Sequence, residues 1–274
     1  GMVSTLTNTL ARFPAPRGVA VDRSGNLAVS DNEAQTVSKI MPSGTVSVWA
    51  GNASRHGYAD GSGAAARFNR PIGIAVDRQR NLFVTDNFTH VIRKVTPDGA
   101  VVTLAGRAWA TGAEDGAGAK ARFDWPCGAA LDRAGNLYVA DAGNHTIRKI
   151  SASGLVTTLA GSAGNSGSAD GAGAKARFAS PADVALDSAG NVFVADRGNH
   201  AIRKVTPSGV VTTVAGVAGK PGRSDGAGGT ARFSNPTGVA VDTLDHIYVA
   251  DTGNHVVRKI IPGGEVTTLA GSAE

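Results

Sequence analysis

The chain has 274 residues, 42% hydrophobic but only 5% aromatic, with 37 glycines and a net charge of +5. No apolar run approaches the roughly 18 residues a membrane span needs, and a single cysteine, Cys127, excludes an internal disulfide framework and a thiolate zinc site. So much glycine with so few bulky residues reads as many short strands and turns, an all-β chain; the modest positive charge bears on steering and solubility alone.

At the N-terminus, Gly1 and Met2 lead into Val3-Ser-Thr-Leu6, which mimics Val266-Thr-Thr-Leu269 near the other end. The segment lacks the basic n-region and apolar h-region of a signal peptide, and the compartment stays open, cytoplasmic or extracytoplasmic. From Phe13 onward the string Ala-Arg-Phe-x-x-Pro sets a period. Its Phe falls at Phe13, Phe68, Phe123, Phe178 and Phe233, spaced by 55 residues. A repeat of this kind is read before any other signal. The units run about 13–67, 68–122, 123–177, 178–232 and 233–274, the last closed by residues 1–12, and together form one domain over 1–274.

Within the third unit, the residues Gly128–Asp132 form a short first strand and Asn136–Asp141 a second, entered through a turn whose Gly135 supplies positive φ. His145–Ile150 is the third strand, and Leu155–Ala160, after Ser153-Gly154, the fourth. A four-stranded antiparallel sheet of this kind has two apolar faces and no helix to cover either. Stacking like sheets around an axis covers both, which predicts a β-propeller of five four-stranded blades. Ala at the centre of every first strand (Ala20, Ala75, Ala130, Ala185, Ala240) lets small face large between blades. Residues 3–6 and 266–269 compete for one outer edge, so an extra N-terminal strand at the closure is one outcome. The Ala-rich runs after Asp60, Asp115, Asp170 and Asp225 read as a helical turn with Asp as N-cap. These connections and the Asp-x-Gly-Asn-His turns share one face, which carries the longest and most variable loops.

Some residues recur in every unit. Asp closes the first strand (Asp22, Asp77, Asp132, Asp187, Asp242) and the second (Asp31, Asp86, Asp141, Asp196, Asp251), and Arg precedes Phe (Arg12, Arg67, Arg122, Arg177, Arg232). A fivefold carboxylate is best explained as a per-blade network accepting turn N–H groups and pairing with Arg. His90, His145, His200 and His255, with Gln35 in the first unit, sit between second and third strands, too far from the axis to converge on zinc. A local turn-stabilising role is expected for them, and no metal or cofactor. The Arg-Lys pairs of the third strand, such as Arg148-Lys149, point to opposite faces and make no continuous basic stripe.

Positions that break the symmetry carry more functional information. Those flanking the Pro before each first strand approach the axis, and there Arg17, Arg70, Ile72, Trp125, Cys127, Asn235 and Thr237 differ in kind from unit to unit. Asp183 replaces a glycine found in the other units. These residues form the candidate channel mouth, mixed enough to hold a small polar ligand or a peptide end. The long loops add His56, Tyr58, Trp109 and Glu114. No His or Asn stands beside Cys127 to activate it as a nucleophile.

The segments Pro236–Asp242 and Ile247–His255 resemble NHL repeats almost letter for letter, and the likeness extends over all five units. The resemblance implies a β-propeller. Family members are commonly six-bladed, but five full units are present here and five blades are expected. Related propellers include lyases and lactonases with a central calcium or an axial His–acid set, which this chain does not match, and some NHL domains bind RNA on a basic face. The expected function is a non-catalytic binding scaffold whose loop-rich face and channel mouth engage a protein, peptide or small ligand. A lyase or hydrolase with a metal-assisted site at the mouth is the alternative, and an RNA-binding propeller the second. A protein or peptide partner is favoured over a small molecule, nucleic acid is disfavoured for want of exposed aromatics, and a monomer is expected.

Overall fold

A computed structural model describes residues 13–271, so the N-terminal string Val3–Leu6 lies outside the described residues. The fold is an all-β, five-bladed propeller of small antiparallel sheets. Among the described residues no helix is long and apolar enough to cross a membrane. The described residues divide into two compact units, one of residues 13–135 with 151–156, the other of residues 136–150 with 157–271.

The N-terminal unit holds the first sheet (Pro16–Val21, Leu27–Asp31, Thr36–Ile40, Val46–Gly51) and the second (Pro71–Val76, Leu82–Asp86, Val91–Val95, Ala100–Gly106). Neighbouring strands in each are sequential and antiparallel. The first sheet presents Ala28, Val37 and Ala50 to Ile74, Leu82, Val84, Val95 and Val101 of the second, with Phe68 in the same core. The C-terminal unit repeats this arrangement. Its fourth sheet (Pro181–Leu186, Val192–Asp196, Ala201–Val205, Val210–Gly216) offers Ala185, Phe193, Ala195 and Ile202. They meet Val239, Ile247, Val249, Ile260 and Val266 of the fifth (Pro236–Val241, Ile247–Asp251, Val256–Ile260, Glu265–Ala270). One side of each sheet is thus small or aromatic and the other aliphatic, and unlike sides meet.

The expected helical turn after Asp60, Asp170 and Asp225 is replaced by something shorter. Gly61–Ser62, Gly116–Ala117, Gly171–Ala172 and Gly226–Ala227 each pair with a fourth strand and give a sheet a fifth, outermost strand. Blades two to five therefore have five strands rather than four. A single 3-10 turn follows in three of these connections, and none of its N-caps bonds through a side chain. The aspartates are otherwise engaged: Asp170 accepts the Thr213 N–H and hydroxyl at 3.0 and 3.1 Å.

The repeated polar residues hold each blade together, with one change of partner. The arginine paired with the buried aspartate is the third-strand one, not the one before Phe. Arg203, buried, donates to Asp196 at 2.8 Å, to Asp170 at 2.6 Å and to the Arg177 and Ala169 carbonyls. Arg93 and Arg258 do the same in their blades, and Arg148 pairs with Asp141 at 2.8 Å. The guanidiniums lie 5.1–5.4 Å from the rings of Phe68, Phe178 and Phe233. Arg177 and Arg232 instead close the connection, donating to carbonyls two or three residues back. Asp22 and Asp242 accept turn N–H groups as expected. The lysines of the Arg-Lys pairs face the other way, 5.6–6.0 Å from Phe83, Tyr138 and Tyr248.

Candidate functional site

The repeated histidines reach from sheet to sheet. His90, His145 and His200 adopt left-handed conformations at φ 56–61°, and each Nδ1 accepts a backbone N–H 35 residues on, from Trp125, Ser180 and Asn235 at 3.2, 3.1 and 3.0 Å. Gln35 does likewise, its Oε1 accepting the Arg70 N–H at 2.7 Å. The expected turn role becomes a clasp between consecutive sheets. Accepting through Nδ1 requires a neutral imidazole carrying its proton on Nε2. Burial accordingly holds the His90 pKa below its usual value, offset in part by Asp124 at 3.7 Å. The clasp also fixes Arg70, Trp125 and Asn235 at the loop face, each with φ between 46 and 58°.

A second clasp uses the glycine of the first strand. Ser30 accepts the Gly18 N–H and donates to the Ile72 carbonyl, and Thr85 accepts the Gly73 N–H and donates to the Cys127 carbonyl. A Cβ on Gly18 or Gly73 would run into that same carbonyl oxygen, which is why glycine stands there. Ile72 and Cys127 therefore serve the blade contact through their backbones, while their side chains are half-buried. In the fourth sheet the hydroxyl is missing, because Ala195 stands at the Ser30 and Thr85 position. Asp183 takes its place, its Oδ2 accepting the Val239 N–H of the fifth sheet at 2.9 Å. Burial pushes its carboxyl up to about 7 against the pull of the Val239 and Val184 N–H groups.

That shift has a sign. A raised acid pKa means the native state binds a proton the unfolded chain has lost, so the Asp183 contribution to stability falls as pH rises from about 4 to about 7 and is level above that. Asp183→Asn is expected to match the wild type near pH 4.5 and to be more stable by about 1 kcal/mol or more at pH 8. Urea unfolding midpoints of the two proteins across this range check it; parallel curves would remove Asp183 from the account.

One group of loop-face residues converges on a single place in the N-terminal unit. Trp125 and Trp109 each meet the Phe88 ring edge-to-face, at 5.3 and 6.2 Å, and the Arg70 guanidinium lies 5.5 Å from that ring. His90 packs against Trp125 at 5.6 Å. All three large aromatics are exposed, as is Arg70. Asn87, in the same turn as Phe88, donates to the Pro126 carbonyl at 3.0 Å and lies 3.6 Å from the Cys127 sulfur. The arrangement brings two indoles, a phenyl ring and a guanidinium together at one exposed place.

Phe88 was not among the expected site residues, although its signal was in the sequence. It stands where Gly143, Gly198 and Gly253 stand in later units. Gly198 and Gly253 are pressed against Ala179 and Ser234 and leave no room for a Cβ, so a phenyl here departs from the repeat. Trp109 occupies the place of Gly164 and Gly219 and keeps their left-handed backbone at φ 63°, against 73° and 69° for the glycines. A non-glycine residue there costs roughly 1 kcal/mol of left-handed backbone strain.

The other expected residues lie apart from this cluster. Tyr58 packs over the buried Arg93 at 5.0 Å and shares a hydrogen bond with Thr103 at 2.9 Å, a blade contact. Arg17 and His56 are exposed, and Glu114 is exposed with its carboxylate folded over Gly112. Asp183, Asn235 and Thr237 belong to the C-terminal unit, where Thr237 and Thr252 share a short hydroxyl contact. Among the described residues no three His, Cys, Asp or Glu side chains are grouped to hold a metal ion.

The NHL repeat profile matches residues 123–150, 178–205 and 233–260. SUPPRESSOR OF QUENCHING 1, a chloroplastic protein of Arabidopsis thaliana, is 28% identical over 98% of this chain and 27% of its own length. NHL repeat-containing protein 2 of Bos taurus is 27% identical over 94% of this chain and 40% of its own. The chain thus spans well under half the length of these relatives. By structure it is similar to an auxiliary nutrient binding protein of Bacteroides ovatus (TM-score 0.70, 19% identity, 96% of this chain and 61% of that one). It is also similar to a streptogramin B lyase (0.64, 13%, 96% and 70%) and to a chain of the nidogen/laminin complex (0.66, 17%, 93% and 80%). At these identities the likeness is one of fold.

Proposed function

We propose that this chain, an NHL-repeat β-propeller, is a non-catalytic binding module that engages a protein or peptide through Phe88, Trp109, Trp125 and Arg70. The observation that carries the reading is the pair of aromatics standing at glycine positions of the repeat. A frame that repeats itself keeps glycine where the turn needs it. Two departures to large aromatics, meeting at one exposed spot beside a fixed guanidinium, follow no packing rule. Trp and Arg are the residues that dominate protein contacts, and rings held edge-to-face present area with little entropy left to lose.

Trp109→Gly separates binding from folding. Restoring the glycine of the sibling units is expected to leave stability unchanged or raise it by up to about 1 kcal/mol, because the left-handed strain is relieved. The same change is expected to weaken, by tenfold or more, peptides selected by the wild-type protein from a displayed random library. Trp125→Ala and Phe88→Gly should act in the same direction. Selected peptides that bind all three variants as tightly as the wild type would place the site elsewhere.

A further inference from the structure

The side chains of the aromatic cluster have a one-sided hydrogen-bonding chemistry. A phenyl ring offers nothing, an indole carries one N–H donor and no acceptor, and a guanidinium carries donors only. These donors are unspent. The backbone N–H of Trp125 goes to His90 and that of Trp109 to the Thr89 carbonyl at 3.0 Å, but neither indole N–H has a partner among the described residues. The backbone of Arg70 is held by Gln35 and Asn87, while its guanidinium meets only the Phe88 ring and has no carboxylate partner among the described residues. Asp124, next to Trp125, faces His90 Nδ1 at 3.7 Å.

Four side chains that only donate select a segment that mainly accepts. An ordinary extended peptide brings one N–H for every carbonyl, and those N–H groups would find no acceptor on these side chains. Proline brings the carbonyl without the N–H, and its apolar ring packs on an aromatic face. A proline run is also already in a polyproline helix, so little conformational entropy remains to be lost on binding. Trp109, Trp125 and the Arg70 guanidinium lie 6.2, 5.3 and 5.5 Å from the Phe88 ring. Four residues of polyproline helix, about 12 Å long, therefore reach from either indole across Phe88 to the guanidinium. The unpaired cation asks for a carboxylate. It also argues against an ammonium ligand, which would meet like charge over Phe88, and one guanidinium is little for a phosphate backbone, which wants a basic groove.

We propose that the cluster takes a proline-rich segment bearing a carboxylate, its prolines stacked on Trp109 and Trp125 and its Asp or Glu paired with Arg70. This rests on the protein-or-peptide reading above and narrows it to one class of partner.

Fluorescence anisotropy on the 274-residue chain tests it, with a labelled peptide of one glutamate between two runs of four prolines. Its controls replace the glutamate by glutamine, or the prolines by alanine. The proline–glutamate peptide is expected to bind about tenfold tighter than the alanine one and about threefold tighter than the glutamine one. Trp109→Gly is expected to weaken it by about tenfold. Arg70→Asn, which installs the residue found as Asn235 at the same place in the fifth unit, is expected to abolish the preference for glutamate and keep that for proline. Circular dichroism confirms that both variants are folded. Should library peptides depend on Trp109 but show no excess of proline, and the proline–glutamate peptide not bind, the cluster is a peptide site of another specificity and this proposal falls alone. Should neither the library peptides nor the proline probe depend on Trp109, the peptide reading of the site falls with it. Displacement of the probe by an oligothymidylate, with tighter binding of the latter, overturns the proposal in favour of nucleic acid.

Discussion

Arg258→Ala is expected to lower the unfolding free energy by about 3–5 kcal/mol, the scale on which a broken buried ion pair leaves an uncompensated charge. Arg258 donates to Asp251 at 3.1 Å, to Asp225 at 2.6 Å, and to the Arg232 and Ser224 carbonyls at 2.9 Å each. Asp251 is fully buried, and it also accepts the Ser234 N–H at 2.7 Å and the Asn254 amide at 2.7 Å. Removing the guanidinium leaves the buried carboxylate without its cation and two carbonyls without their donor. Arg258→Lys keeps the charge but offers no planar fork, so one ammonium must choose among four acceptors. Its loss is expected to fall between those of the wild type and the alanine variant. Urea midpoints at constant m-value read both; an alanine variant within 1 kcal/mol of the wild type would show that the network adds nothing to stability.

The second large effect lies beside the first. Phe233 is fully buried among Ala185, Ala215, Ala231 and Val239, with the Arg258 guanidinium 5.1 Å from its ring. Phe233→Ala is expected to cost about 3–5 kcal/mol, the lost transfer free energy together with the cavity the sheets cannot close. Phe233→Leu refills most of the volume and should cost distinctly less. Because cation and ring touch, the combined Arg258→Ala, Phe233→Ala variant should lose less than the two single losses together. Strict additivity in a double-mutant cycle would mean that ring and guanidinium act independently.

The frame was legible because the repeat states each rule several times. The spacing of Phe13, Phe68, Phe123, Phe178 and Phe233 and the β-branched runs between glycines lead directly to the observed strands. The outermost strands were not legible: Gly171–Ala172 has no side chain that prefers a strand, and its pairing with Val210–Val211 follows from where the chain passes. The paired arginine is hidden in the sequence, since Arg203 in an Arg-Lys string looks like surface and only its position opposite Asp196 buries it. The histidine clasps escaped because each partner stands 35 residues on, in the next unit. Asp183 read as a departure at the mouth, and its meaning needed the register that sets it against Ala195. Phe88 and Trp109 could have been found together by aligning the units and asking where glycine had been lost.

The two-residue outer strand has a consequence for how the protein is made. Gly171–Ala172 precedes the innermost strand of its sheet, Pro181–Leu186, yet closes the far side by pairing with Val210–Val211. Everything the fourth sheet requires for its own ladder therefore lies in the unbroken stretch from 171 to 216. As the polypeptide leaves the ribosome, such a sheet can finish its hydrogen bonding before the following repeat has been translated, and the growing chain need not carry a bare strand edge through synthesis.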